Sequence, residues 1–208
     1  MGKKRVYCAG PLFNDKEREE MAGIAAALEE KGFETFLPQR DGLELTRCVE
    51  GLTAGGLPVD EANALIAQAI FALDIYQVLE GCVLLVANLN GRVPDEGMVA
   101  EAAMAWARGK PVFAFKSDTR TAFGGNDNPL VTGLFGFKVA KSIPGVVALV
   151  EAHVRDYPIP DPAFLREEEI SGKLELGRAI WDALSRSETI KDVIDAIRGF
   201  NASVIARG

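Results

Sequence analysis

Short apolar runs alternate with longer amphipathic stretches over the first three quarters of the chain. Arg5 to Ala9, in "KRVYCAG", reads as a first strand that ends in the turn "GPLF". Asn14 with Glu17 three residues later has the form of a capping box, and Met21, Ile24 and Leu28 give the helix behind it one apolar stripe. Gly32 closes that helix, and "KGFETFLP" supplies a second strand up to Leu37. Residues 38 to 58 are rich in Gly and turn residues and read as irregular, a length of loop that is often functional inside a compact domain. A helix of about five turns is predicted from Pro58–Asp60 to Leu79. "GCVLLVANL" is a third strand, apolar throughout, and residues 95 to 108 form a helix ending at Gly109. "KPVFAF" follows as a fourth strand, "GFKVA" as a fifth after a Gly/Asn-rich loop, and residues 144 to 156 as a helix.

Strands that alternate with helices and read as buried on both faces predict an α/β fold, a parallel sheet covered by helices on each side. Such sheets carry their sites beyond the carboxyl ends of the strands. Here those ends are "AGPLF", "LPQRDG", "ANLNGRVPD" and "FKSDTR". The Pro-rich "YPIPDP" then separates a domain over residues 1–160 from a C-terminal helical extension over 161–208, with charged amphipathic helices predicted near 163–185 and 187–205. So short an extension is expected to pack on the domain or at a subunit contact rather than build its own core.

With 208 residues and 48% hydrophobic positions, the chain can bury one good core. A net charge of -7 argues against a nucleic-acid backbone or an anionic membrane as the partner. The apolar run Ala62 to Leu73 is short for a bilayer, and the N-terminus has no signal-type apolar region. Gly2 is followed by Val6 where a myristoylation motif wants Ser or Thr. Three cysteines without a CxxC pair read as free thiols, and the expected setting is cytoplasmic. No His/Cys/Asp grouping has metal-ligand spacing, and neither a dinucleotide fingerprint nor a Walker loop occurs, so no metal or cofactor is expected. A Ser-His-Asp site would need a nucleophile elbow that is missing, and the lone His153 reads as surface.

What remains is carboxylate chemistry or none. Glu101 has Gly97 and Met98 one turn back and Met104 and Ala105 one turn on, with Ala100 and Ala102 beside it. A carboxylate on such a surface must be paired, neutral or functional, because unpaired burial costs several kcal/mol or more. Arg108 two turns on is the ordinary partner to weigh against a functional role. Asp74 shows the same oddity in "IAQAIFALDIYQVL", against the ordinary reading of a helix-end aspartate facing a local donor. Asp95 follows Pro94 at a helix head, where an aspartate commonly caps free amides. Two carboxyls held near each other in apolar surroundings have their pKa values pushed apart, which separates an acid from a base or nucleophile. That division suits cleavage of a glycosidic bond.

"VYCAGPLF", Asp74, "PDEGMVAEAAMA" and "NPLVTG", in this order and spacing, resemble the nucleoside 2-deoxyribosyltransferases over about residues 4 to 140. The resemblance implies a flavodoxin-like five-stranded parallel sheet and transfer of a 2-deoxyribosyl group between nucleobases, with deoxynucleoside and free base as substrates. By position, Glu101 resembles the nucleophile, Tyr7 the group that orients it, and Asp74 the acid/base. Asp95 would bind the sugar hydroxyls or help place the base. Gly10 would line the site, Phe13 would stack on the base, and Gln39 would read the base edge through its amide. Asn128 matches the residue that reaches the sugar 5'-hydroxyl from a neighbouring subunit, which implies a homo-oligomer, a dimer or higher. Leu130 stands beside the sugar where some members carry Met. Some members also place a terminal carboxylate in the site, a role the extra C-terminal residues here put in question.

On this expectation the small neighbours let the sugar approach Glu101, the apolar ones leave the carboxylate poorly hydrated and nucleophilic, and the helix start near Asp95 keeps it ionised. Two other readings compete. One is an N-glycoside hydrolase on the same scaffold. If specific for 5'-monophosphates it would want a phosphate nest, to which "SDTR" and "FGGN" could contribute, whereas Asn128 favours a free hydroxyl. The other is a non-catalytic nucleotide-binding module, which would have no need of Glu101, Asp74 and Tyr7 together.

Overall fold

The structure is a computed structural model that describes residues 4–43, 45–121 and 126–156. The elements run β1 (Arg5–Ala9), α1 (Asp15–Glu29), β2 (Glu34–Phe36), α2 (Pro38–Asp41), α3 (Leu45–Ala54), α4 (Val59–Tyr76) with a π-helical turn Gln77–Gly81, and β3 (Leu84–Asn88). They continue with α5 (Glu96–Ala107), β4 (Val112–Phe115), α6 (Pro129–Leu134), β5 (Val139–Ala140) and α7 (Ile143–Asp156). All five strands are parallel, in the order β2-β1-β3-β4-β5, as the alternation predicts. The expectations for residues 161–208 lie outside the described residues.

The period-2 alternation of the strands builds two cores. Val6, Cys8, Leu84 and Val86 face α1 and α7, while Tyr7, Ala9, Leu85 and Ala87 face α5 and the π-turn. On α1, the predicted stripe Met21, Ile24 and Leu28 is fully buried against the first core. The Asn14 side chain accepts from the Glu17 amide at 3.0 Å. The reciprocal half of the box is shifted by one residue, since Glu17 accepts from the Phe13 amide at 2.9 Å rather than from the cap itself.

Residues 38–58 differ from the expected irregular stretch, because they hold α2 and α3. Pro38 at the first helical position starts α2. The partly buried Cys48, Val49 and Leu52 give α3 one inner face that the nearby glycines disguise. The six-residue α6 is likewise unpredicted, although Asn128 before Pro129 is a cap followed by a helix-starting proline.

The continuous helical element Val59–Gly81 spans 23 residues, longer than the run read from sequence, and by length and composition alone it is apolar enough to cross a membrane. It carries Asp60, Glu61, Asp74 and Glu80, and it packs Ala62, Ile66 and Val78 into the protein. Those features make it a helix of the α/β layer whose outer side leaves Leu65, Phe71 and Tyr76 exposed.

Candidate active site

Tyr7 is the third of five residues in β1, paired in register with Phe36 and Leu85, and its side chain is fully buried beneath α5. Its ring lies 5.4 Å from that of Phe36 at a 30° tilt, which fixes where the hydroxyl points. That hydroxyl donates to Glu101 Oε1 at 2.7 Å, within the short range of a charge-assisted bond. Glu101 reaches this position because Met98, Ala102 and Ala105 on the same helix are buried in the second core, and the small Ala102 and Ala105 let α5 approach the sheet closely. The partner of Glu101 is therefore Tyr7, not Arg108 on the exposed helix end.

Burial pushes the Glu101 carboxyl up from 4.5 to about 7. The Tyr7 hydrogen bond opposes that rise, and the charges of Asp74 and Asp95 add to it. Desolvation therefore opposes the ionisation that the helix start was expected to favour. Glu101 is the sixth residue of α5, beyond the first turn where the helix potential acts, so desolvation prevails. Burial first, then the Glu101 charge, drives the Tyr7 phenol well above its ordinary range, so the hydroxyl keeps its proton and serves as a donor. Burial also raises the Asp74 carboxyl, with hydrogen bonding to Tyr7 pulling the other way.

Tyr7, Asp74, Asp95 and Glu101 are thus one electrostatic group on the α4/α5 side of the sheet. The group lies over the middle of β1, somewhat inside the strand end at which such sites are expected. Asp95 is also the N-cap of α5, accepting from the Met98 amide at 2.7 Å, so the ordinary reading and proximity to the site both hold for it.

The other candidates stand apart. Phe13 and Leu130 are exposed side chains on the β1–α1 turn and on α6. Asn128 is exposed at the head of α6, where its side-chain carbonyl accepts from the Leu130 amide at 2.9 Å. Gly10 directly follows β1, where an added Cβ would lie 2.5 Å from Met21 Sδ and 2.9 Å from Asn88 Cβ, so its missing side chain serves close packing. Gln39 is not brought to the carboxylates. Its amide donates to the Arg18 carbonyl at 2.9 Å, beside Ala22 and Ala26 of α1 on the other face of the sheet. Arg120 of "SDTR" is exposed and pairs with Asp118, its Nε at 3.0 Å from both carboxylate oxygens. Ala122 to Gly125 lie outside the described residues. Among the described residues no group of three or more His, Cys, Asp or Glu side chains could hold a metal ion.

Sequence reasoning missed the polar network behind the β3–α5 loop. Lys116 and Asp127 form a buried ion pair there, and Asn90 links Glu20 to Ser117. A lysine directly after a buried strand, and an aspartate directly before Asn128, were the available signals.

A family model described as Nucleoside 2-deoxyribosyltransferase matches residues 6–156. Among solved structures, a conserved protein from Enterococcus faecalis V583 is 22% identical, with a TM-score of 0.57 over 73% of this chain and 99% of that one. A 2-desoxiribosyltransferase from Leishmania mexicana is 20% identical, with a TM-score of 0.52 over 72% of this chain and 98% of that one. A Clostridium botulinum CMP N-glycosidase, BcmB, is 20% identical with a TM-score of 0.40, over 71% of this chain and 99% of that one. The first two likenesses show a shared fold. No curated protein matches the chain.

Proposed function

The chain belongs to the nucleoside 2-deoxyribosyltransferase family, and we propose that it transfers a 2-deoxyribosyl group between nucleobases by double displacement. The observation that carries the reading is the 2.7 Å bond from a buried Tyr7 hydroxyl to Glu101, with Asp74 close enough to perturb both. Glu101, once ionised, attacks the anomeric carbon from the face opposite the base. The C–N bond breaks, a glycosyl ester forms, and the Asp74 proton passes to the departing base. An incoming base then attacks the ester from the vacated side and returns its proton to Asp74. Two inversions give net retention, with ping-pong kinetics. Asp95 is the sugar-facing carboxylate. A nucleophile that titrates at about 7 can be generated at neutral pH, which general acid–base chemistry favours.

Hydrolysis is the second reading, in which water takes the place of the acceptor base. The partial exposure of Asp74 favours it, since the proton-transfer group is within reach of solvent. The exposed Asn128 and Leu130, and the exposed apolar Leu65, Phe71 and Tyr76 of α4, support a homo-oligomer in which Asn128 completes a neighbour's site. Three free thiols, two of them buried, support a reducing, cytoplasmic setting.

Incubation with a deoxynucleoside and a second free base, with all products separated by chromatography, tests the reading. A new nucleoside is the expected product. Free deoxyribose alone assigns hydrolysis, and no reaction with any nucleoside or nucleotide leaves a binding module.

A further inference from the structure

At the end of β4, Lys116 is only 2% exposed. Its ammonium group donates to Asp127 Oδ1 at 2.8 Å and to the Gly91 carbonyl at 2.9 Å, and Asp127 is itself buried. A buried ion pair gains little net stability, because desolvating both charges offsets their attraction. What lies next to its two attachment points is more informative. Gly91 begins the segment that leads to Asp95, with φ at 114°, and an added Cβ would lie 3.0 Å from the Val93 carbonyl oxygen. Asp127 immediately precedes Asn128, the head of α6.

We propose that Lys116 and Asp127 are positioning residues, one buried joint that sets both the loop presenting Asp95 and the helix head presenting Asn128. The inference rests on the function proposed above for those two side chains. The same loops are braced a second time nearer the surface, where Asn90 Oδ1 accepts from the Ser117 amide at 2.8 Å and the Asp118 amide at 2.9 Å. Water competes with those bonds, whereas it is excluded from the ammonium group of Lys116. Because Asp95 serves its own site and Asn128 a neighbour's, the joint couples the sugar-binding parts of two sites. A misplacement of about 1 Å at such groups can cost on the order of a hundredfold in rate.

The test uses the full chain. Lys116→Met alone leaves a buried charge unpaired, so the variant of choice is Lys116→Met with Asp127→Leu, which removes both charges together. The expected result is a folded protein in which hydrogen exchange quickens at least tenfold at the Met98 and Leu130 amides, which bond the Asp95 and Asn128 side chains. Amides of β1 and β3 keep their wild-type protection. The KM for a deoxynucleoside rises about tenfold or more, as mispositioned binding groups require, and the acid limb of kcat/KM moves in the same direction as for Asp95→Ala but by less, because the Asp95 charge is displaced rather than removed. If the double variant does not fold, Asp127→Asn, which keeps an acceptor for Lys116, should move the same two amides by a smaller factor. Unchanged exchange at Met98 and Leu130, or a rise spread evenly over the fold, overturns the inference. If the wild type neither transfers nor hydrolyses, the functional reading falls by itself, and the exchange pattern alone decides the joint.

Discussion

Replacing Glu101 by glutamine should abolish activity and at the same time stabilise the protein at neutral and higher pH. The folded protein holds the Glu101 proton up to about 7, against 4.5 for an ordinary glutamate carboxyl. A carboxyl whose folded pKa is raised binds its proton more tightly when folded. The stability linked to that proton is therefore complete below 4.5 and is lost as pH rises through 7. At 1.36 kcal/mol per pH unit, the ionised side chain costs about 3 kcal/mol above neutrality. Glutamine keeps the shape and still accepts the Tyr7 hydrogen bond, but it has no charge to desolvate. Groups remote from the site titrate alike in both proteins, so the difference between their stability curves reports Glu101 together with its coupling to Asp74 and Asp95. That difference should be near zero at pH 4.5 and reach about 3 kcal/mol at pH 8, or roughly 6–12 °C in melting temperature for a chain of this size. Melts followed by circular dichroism at half-unit pH steps measure it. A flat difference from pH 4.5 to 8, or a glutamine variant less stable at pH 8, would refute the argument that desolvation dominates the site.

Tyr7→Phe removes the one interaction that lowers the Glu101 pKa, so the acid limb of kcat/KM should move above about pH 7, as read from pH–rate profiles. Asp95→Ala should shift that limb the opposite way, because the Asp95 charge raises the Glu101 pKa. It should also cost about 1 kcal/mol through the lost helix cap, measured by urea denaturation. Asp74→Asn should slow glycosyl transfer most for bases that leave poorly without a proton, so rates compared across a series of leaving bases should spread more widely than in the wild type.

The sheet was legible from its pattern because the central strands β1 and β3 are buried on both faces and the long helices have a cap or a glycine stop. α2, α3 and α6 were not, since short helices flanked by glycines bury too little to leave a periodic stripe. Glu101 and Asp74 stood out as carboxylates with apolar neighbours, and the fold puts both against Tyr7. Gln39 follows from the family resemblance, and a resemblance does not say which face of the sheet a residue after a strand turns to in this chain. Lys116 was hidden for a related reason. A lysine after a strand usually faces water, and only the folded chain brings Asp127 and Gly91 to it.

The electrostatics of the site also bear on the order of the proposed chemistry. With Tyr7, Asp74 and Glu101 all pushed toward their protonated forms, the pocket tolerates one negative charge far better than two. The proposed reaction requires Glu101 ionised and Asp74 protonated when the base departs. Attack on the anomeric carbon converts Glu101 to a neutral ester, and Asp74 becomes charged as its proton leaves with the base. The charge moves from one carboxylate to the other and its total stays at one throughout. Proton donation by Asp74 before the ester forms would place two anions side by side, which the elevated pKa values oppose. Nucleophilic attack and proton transfer to the leaving base should therefore be closely coupled, and the apolar helix around Glu101 is what makes them so. An environment that hydrated both carboxylates would relieve the repulsion and release that coupling.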